Sequence, residues 1–388
     1  MKILLTIHHY LDPNAGAPGV TLKLGQEYQK LGHEVHYYGF DCLPNKVPTK
    51  AKSITFPEFL AFYLSSSKEQ SFDVVDASTG DAWVWAKMSW SGRKNRPLLV
   101  TRSHGLEHTS HRYRIEEAKR GSKQLSWKYP LYHGGFRLWE VATSMRYADL
   151  SFLLNQDDLE YAVNELGVER KRTCIVSNGV SETFLNLPFE PTPKTQDSII
   201  NIAQIGNYIP RKGINYSVPA LNNILNRYPQ VQVSFLGTGC SEVEVYKDFT
   251  SGVRDRIQVI PRYTHEMLPA LLKGHQIKIL SSLFEGLPLV LIEAMACGLT
   301  PITTSLPGPM EIIENGQNGI SIPLRNSQAI EESLVRLIED RSYMEFLRRN
   351  AYATAQKYSW QRIALDNLSL YEEALSARKY SSASFHCS

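Results

Sequence analysis

The chain has 388 residues, 43% hydrophobic and 21% charged, the balance of a soluble globular protein long enough for two domains of ordinary size. A formal net charge of +3 at pH 7 is too small to indicate a nucleic-acid binder. Five scattered cysteines (Cys42, Cys174, Cys240, Cys297, Cys387) without CxxC spacing argue for a reducing cytosol and against disulfides or structural zinc.

"MKILLTI" is too short for a signal-peptide core and meets "HHYLDP" at once, so it reads as a first strand. "LDPNAGAPGV" follows and opens a helix; Gly16 and Gly19 there allow close backbone approach to a phosphate or a sugar, although a plain turn would use the same residues. The loop is not GxGxxG, and no acidic ribose ligand stands at the usual distance, which argues against a nicotinamide dehydrogenase. Further β-rich runs are "EVHYYGF", "FDVVDA", "PLLVT", "DLSFLLN" and "TCIVS", with helical patterns such as "VTLKLGQEYQKLG" and "QDDLEYAVNELG" between several of them. This alternation predicts a parallel sheet covered on both faces. Beyond "PLLVT" lies His104, placed to hydrogen-bond sugar hydroxyls or a carbonyl. His108 and His111 follow it, but no convincing further ligand set accompanies them, so no metal is expected.

Between Arg102 and Arg146 nine Lys/Arg face four Asp/Glu, giving the segment a charge of +5, and Trp127, Tyr129, Tyr132, Phe136 and Trp139 are interleaved. Such a stretch reads either as an ordinary solvated surface or as a face for an anionic acceptor or a membrane. No uncharged apolar run approaches the length of a membrane span.

"LPFEPTPKTQDS", with three prolines and no apolar period, reads as a linker. The alternation then restarts with the strands "IINIAQIG", "VQVSFLG", "RIQVI", "QIKILSS" and "TPITTS". In "IGNYIPRKGI", Arg211 and Lys212 precede a glycine and a helix, an arrangement suited to a diphosphate leaving group or to a solvated pair. "FLGTGCSE" reads as a turn. "SSLFEGLPLVLIEAMACG" reads as a strand end, a loop and an apolar helix with Pro288 in its first turn and Gly298 as its C′ residue. Glu285 lies just before that helix, beside free N–H groups, and Glu293 one to two turns inside it, where an unpaired charge would be costly. Either the segment is a phosphate cradle with two working carboxylates, or Glu285 is solvated and Glu293 salt-bridged. Three helical stretches close the chain before the tail "SSASFHCS".

Taken together, the glycine loop before the helix ending in "GHEV", "HG" at His104–Gly105, "SNGV" at Ser177–Val180, "RKG" at Arg211–Gly213 and the paired glutamates of "EGLPLVLIEAMACG" closely resemble glycosyltransferase family 4, from about Met1 to about Leu375. The resemblance implies a GT-B fold: two Rossmann-like α/β domains whose parallel sheets face a central cleft. Residues 1–190 would form the acceptor-side domain, 196–360 the nucleotide-sugar domain, and 361–376 a closing helix that returns to the first domain. It also implies transfer of a sugar, with retention of configuration, from a UDP- or GDP-linked donor to a glycan or lipid-linked acceptor hydroxyl. No cofactor or metal would be required. By the same resemblance Glu285 stabilises positive charge at the anomeric carbon, Glu293 binds the ribose, and Arg211 with Lys212 neutralises the diphosphate. The N–H groups of Leu289 and Val290 complete the cradle, Gly16 closes it, and His104 touches the donor sugar. Where the family usually carries Arg after the glycine of the first strand of the second domain, this chain has Gly206–Asn207. A non-catalytic sugar-nucleotide-binding subunit and a nucleotide-sugar epimerase are the alternatives. The expected location is cytoplasmic, with a peripheral contact at the inner face of the membrane.

Overall fold

The computed structural model describes residues 1–13, 15–66, 71–122, 124–192 and 198–379. Lys123 of the basic segment, the middle of the proline-rich linker and the "SSASFHCS" tail lie outside these residues. The chain divides into two compact units, Met1–Asn178 with Trp360–Ser388, and Gly179–Ser359.

The first unit holds β1 (Lys2–Thr6), β2 (Glu34–Tyr38), β3 (Val74–Ser78), β4 (Leu98–Arg102), β5 (Leu150–Leu153) and β6 (Thr173–Ile175). All pair in parallel, in the order β2-β1-β3-β4-β5-β6. β3, β4 and β5 are buried at every position, as strands covered by helices on both faces must be. The chain turns from β1 towards β2 on one side and from β3 towards β4 on the other. The carboxyl ends of β1 and β3 therefore flank a topological switch point, where open α/β sheets bind ligands.

The helix Trp360–Lys379 belongs to this unit. It contributes Tyr371, whose hydroxyl donates to Asp76 at 2.5 Å and meets Tyr28 at 3.1 Å, while Asp76 also accepts from Arg102 at 2.6 Å. This buried ion pair fastens the late helix to β3 and β4.

The second unit repeats the plan with β7 (Ile200–Ile205), β8 (Val231–Leu236), β9 (Ile257–Ile260), β10 (Ile277–Leu280), β11 (Thr300–Thr304) and β12 (Ile320–Ile322). Its order is β12-β11-β10-β7-β8-β9, again parallel, so the switch point lies between β7 and β10. Its core runs through Ile202, Leu221, Val233, Phe235, Ile279 and Leu334.

The division differs from the sequence expectation of 1–190 and 196–360. Gly179–Thr192 pack on the second unit: the Val180 N–H donates to the Tyr358 carbonyl at 2.7 Å, Tyr352 donates to the Leu187 carbonyl at 2.7 Å, and the Arg348 guanidinium lies over Phe189. The first residues of the stretch that read as a linker instead lie along the helix Arg341–Ala355, where Arg348 donates to the Glu190 carbonyl at 2.9 Å and the Thr192 N–H donates to Glu345 Oε2 at 3.3 Å. Cys42, Cys240 and Cys297 are free thiols.

Candidate active site

The β7/β10 switch point is built by two close approaches that only glycine allows. After β7, Pro210–Lys212 form a short 3-10 turn, and Gly213 (φ 74°) passes into the helix Ile214–Arg227. A Cβ on Gly213 would lie 1.8 Å from the Ser281 carbonyl oxygen, so only glycine lets this turn press against the end of β10. The contact is reciprocal: Ser281 Oγ donates to the Lys212 carbonyl at 3.0 Å, and the Leu283 N–H donates to the Arg211 carbonyl at 2.9 Å. From the other side, Gly308 approaches so closely that its Cβ would lie 1.3 Å from the Gly286 oxygen.

These turns place Lys212 against Glu285. Lys212 Nζ donates to Glu285 Oε1 at 2.6 Å, and Ser282 Oγ donates to the same oxygen at 2.6 Å. The carboxylate is thus fixed by one charge-assisted and one neutral hydrogen bond, at the mouth of the helix that follows.

That helix spans Leu289–Ala296, with Pro288 as its N-cap and no side chain capping it. Pro288 therefore stands one position ahead of the first turn predicted for it. Leu289 and Val290, as the first helical residues, have N–H groups without intrahelical acceptors. These groups and the helix dipole make an anion site. The end is as expected: Gly298 (φ 78°) donates to Met295 and Leu299 donates to Ala294. Leu291, Ile292 and Met295 are fully buried, each contributing roughly 1.5–3 kcal/mol of apolar burial. Among them Glu293 is buried and paired: its Oε1 lies 2.7 Å from His265 Nε2, which must carry the proton.

Arg211 is exposed and donates to the Phe284 carbonyl at 3.3 Å; Asn207 is exposed near Gly239. Arg211, Lys212, Glu285, Leu289, Val290 and Glu293 thus all belong to the second unit, with direct contact between Lys212 and Glu285. His104 and Gly16 belong to the first. His104 follows β4, and burial pushes its pKa down to about 3, with Arg102 adding to the shift and Asp76 opposing it, so the ring is neutral. Gly16 opens the helix Gly16–Lys30 and faces open space; the close approach in that loop is at Gly19, whose Cβ would lie 2.8 Å from the Pro13 oxygen.

Sequence reasoning missed three groups and misplaced two. Ser282 and His265 hold the two glutamates, and neither stood in a recognisable pattern. Lys278, read as part of a β run, is fully buried with its Nζ donating to the Ile279 carbonyl at 2.7 Å. Burial lowers its pKa to about 7, with Lys212 adding to the shift and Glu285 opposing it. In the basic segment, Arg102 and Arg137 are not surface charges but are buried against carboxylates, so the local +5 overstates the exposed charge. No group of three or more His, Cys, Asp or Glu among the described residues is arranged to hold a metal, and no described helix is long and apolar enough to cross a membrane.

Residues 189–354, most of the second unit, match the family described as glycosyl transferases group 1. The chain is 27% identical over 213 residues to an uncharacterized glycosyltransferase of Methanocaldococcus jannaschii, covering 52% of this chain and 54% of that protein. It is 22% identical over 308 residues to the UDP-Gal:alpha-D-GlcNAc-diphosphoundecaprenol alpha-1,3-galactosyltransferase of Escherichia coli, covering 76% of this chain and 74% of that one. The chain thus spans only about half the length of the first of these relatives. Among solved structures it is similar to sucrose-phosphate synthase of Thermosynechococcus elongatus, with TM-score 0.75 and 18% identity over 97% of this chain and 100% of that chain. It is also similar to HepE of Anabaena in complex with UDP, with TM-score 0.69 and 19% identity over 96% of this chain and 100% of that chain. The fold is therefore that of GT-B glycosyltransferase structures, and residues 189–354 carry the match to glycosyl transferases group 1.

Proposed function

We propose that the protein is a retaining glycosyltransferase that moves a sugar from a UDP- or GDP-linked donor to an acceptor hydroxyl in polysaccharide or glycolipid assembly. The observation that carries this reading is the Lys212–Glu285 pair beside the uncapped start of the Leu289–Ala296 helix, at the second-unit switch point. A fixed cation and free helix N–H groups suit a diphosphate, and a carboxylate beside them suits the positive charge that develops at an anomeric carbon as the diphosphate leaves. Lys212, with Arg211, neutralises the departing phosphates without a metal, and the helix N–H groups of Leu289 and Val290 bind them. Glu293, oriented by His265, receives the ribose hydroxyls. We extend the donor assignment to Gly16 and His104, for which the family resemblance is the support. Retention of configuration rests on the same resemblance, and donor class draws on the UDP complex of HepE.

A cytoplasmic location with a peripheral membrane contact belongs to the proposal. Exposed Arg112, Arg114, Lys119 and Arg120 and the 78% exposed Trp127 support it. The exposed Asn207, neutral where the family usually has Arg, favours a second reading, a non-catalytic nucleotide-sugar-binding subunit. Incubating the protein with UDP-, GDP- and ADP-linked sugars, scored by mass spectrometry for hydrolysis, transfer and epimer formation, separates the readings. Donor consumption with a transferred sugar supports the enzyme. Tight binding without turnover supports the subunit, and an epimerised nucleotide sugar supports the remaining alternative.

A further inference from the structure

The two edges of the first unit's sheet handle charge differently. At the carboxyl ends of β1 and β3, four segments of the chain close a network among themselves. His8 Nδ1 lies 2.6 Å from Asp81 Oδ1, and Arg137 reaches His8, Thr79, Glu107 and Glu140 at 3.2–3.4 Å. At the opposite edge the parallel strands β4, β5 and β6 begin side by side, and the charges there do not close. The approach to β4 carries Arg93, Lys94 and Arg96, and the turn before β6 is Arg170–Arg172. Arg378, near the end of the helix Trp360–Lys379, donates to the Arg96 carbonyl at 2.9 Å. Against these seven cations stand the carboxylates paired with them, Asp149 and Glu169, which leaves an excess of five positive charges.

An indole orders the cluster. The guanidinium carbon of Arg93 lies 4.5 Å from the Trp90 ring centroid and that of Arg172 lies 5.7 Å from it, while Tyr147 meets the ring edge-on at 5.2 Å. The cations differ in what else holds them. Arg172 donates to the Ala148 carbonyl at 2.8 Å and to Glu169 Oε1 at 3.0 Å. Arg96 pairs with Asp149 at 3.1 Å, and Arg378 pairs with the same carboxylate. Arg93 is exposed and, beyond its stack on Trp90, meets no acceptor among the described residues; exposed Lys94 meets none there either. A guanidinium held against an indole with its N–H groups free is ordered in advance for the two parallel hydrogen bonds of a phosphate.

The place of Arg93 also carries an electrostatic cost. Burial pushes the Arg96 pKa down to about 10, with Arg378 and Arg93 adding to the shift and Asp149 opposing it. Burial lowers Arg172 and Arg378 as well, and Arg93 adds to both shifts. Burial would raise Glu169, yet Lys171, Arg172 and Arg93 hold its carboxyl below the usual range, so Arg93 and Lys171 act on one carboxylate. Lys171 meets Glu169 at 3.1 Å in an exposed pair, which an incoming anion can exchange at small cost. Arg93 thus repels three neighbouring guanidiniums and pairs with neither carboxylate, and an anion beside it would relieve that repulsion.

We propose that the amino edge of the first unit's sheet binds the phosphate group of a small soluble ligand, held bidentately by Arg93 with Lys94 and Lys171 beside it. A lipid surface suits this edge less well, because Trp90, the aromatic at its centre, is engaged by two guanidiniums and Tyr147 and is not free to insert. The site stands apart from the nucleotide-sugar reading: it belongs to the first unit, at the strand ends opposite those where open α/β sheets bind their ligands.

The test is isothermal titration of pyrophosphate and inorganic phosphate into the full chain at about 0.15 M salt, where loosely attracted anions are screened. To set aside the diphosphate site proposed for the second unit, Arg93→Gln and Lys171→Gln are each added to a Lys212→Gln chain and compared with it. The expected result is pyrophosphate binding by Lys212→Gln that falls about tenfold when Arg93→Gln is added, the scale of one hydrogen bond to a charged group, and by less with Lys171→Gln. Arg93 and Lys171 are exposed, so neither substitution endangers the fold. In parallel, wild type and Arg93→Gln are sedimented with phosphatidylcholine vesicles carrying phosphatidic acid, and the two should behave alike. No pyrophosphate binding by Lys212→Gln, undiminished binding once Arg93→Gln is added, or Arg93-dependent capture of the vesicles without binding of the free anion would each overturn the proposal.

Discussion

At the β1/β3 switch point one guanidinium serves two carboxylates and a histidine, and its partners come from residues 8, 79, 107 and 140. At the β7/β10 switch point the charges are held as simple pairs, Lys212 with Glu285 and His265 with Glu293, and both glutamates belong to one stretch of chain. The first arrangement is a buried network whose members depend on one another; the second is a set of local pairs on a short loop and the start of a helix. A network of the first kind is costly to break, because each lost partner strands a buried charge. Pairs of the second kind can exchange partners with a ligand at small cost to the fold. Charge in the first unit should therefore bear mainly on stability, and charge in the second mainly on chemistry.

The sharpest way to break this contrast is in the first unit, at the pair that fastens the late helix. Asp76→Asn leaves Arg102 buried at 4% exposure without its carboxylate. It should cost roughly 3–5 kcal/mol, measured by denaturant unfolding. A loss below about 1 kcal/mol, the size of a surface ion pair, would show that the pair is not a structural fastening.

In the second unit the corresponding substitution should spare the fold. Glu285→Gln is expected to lower turnover by on the order of 10²–10³, the loss typical of one preorganised electrostatic group, with little change in unfolding. Wild-type turnover in the variant, with a donor that the protein accepts, would remove Glu285 from the mechanism.

Lys278 is the second unit's exception, a fully buried charge with its pKa lowered to about 7 from 10.5, mainly by burial. Between those values the folded protein binds fewer protons than the unfolded chain. Its contribution to stability therefore rises as pH goes from about 7 to 10.5 and is least favourable below that window. Lys278→Met should raise stability at pH 7 and flatten the pH dependence of unfolding across the window. An unchanged slope would mean that the amine is not desolvated in the folded state.

The smallest effect concerns the surface. Wild type should co-sediment with anionic vesicles at low salt and release as salt rises, each cation near the lipid being worth about 1 kcal/mol. Replacing Arg112, Arg114, Lys119 and Arg120 by Gln should abolish that binding. Indifference of the wild type to anionic vesicles would favour a water-borne acceptor.

The same contrast explains what could be read in the sequence. The strands were legible because parallel strands buried on both faces are continuous β-rich runs, as in "KILLT" and "INIAQI". β12 was not, since "ISI" is too short to carry a pattern. The helix Thr49–Ser66 escaped notice because Pro57 lies inside it and its apolar residues follow no single stripe. In the candidate site, Lys212, Glu285 and Glu293 were legible because their motifs are contiguous. The partners Ser282 and His265 were not, and neither was the His8–Asp81–Arg137 cluster, because only folding brings its four segments together. Two of the basic residues counted as surface charge, Arg102 and Arg137, proved to be the centres of buried networks for the same reason.

The claim on which the functional reading depends is that the β7/β10 switch point binds the nucleoside diphosphate part of a donor through the Leu289–Ala296 helix and Glu293. Isothermal titration of UDP, GDP and ADP into wild type and Glu293→Ala tests it without an acceptor. The account predicts one-to-one binding of at least one nucleotide by the wild type. In a folded Glu293→Ala variant the affinity should be about tenfold to a hundredfold weaker, the loss of one or two hydrogen bonds to a carboxylate. Binding of none of the three, or equal affinity in the variant, would contradict it.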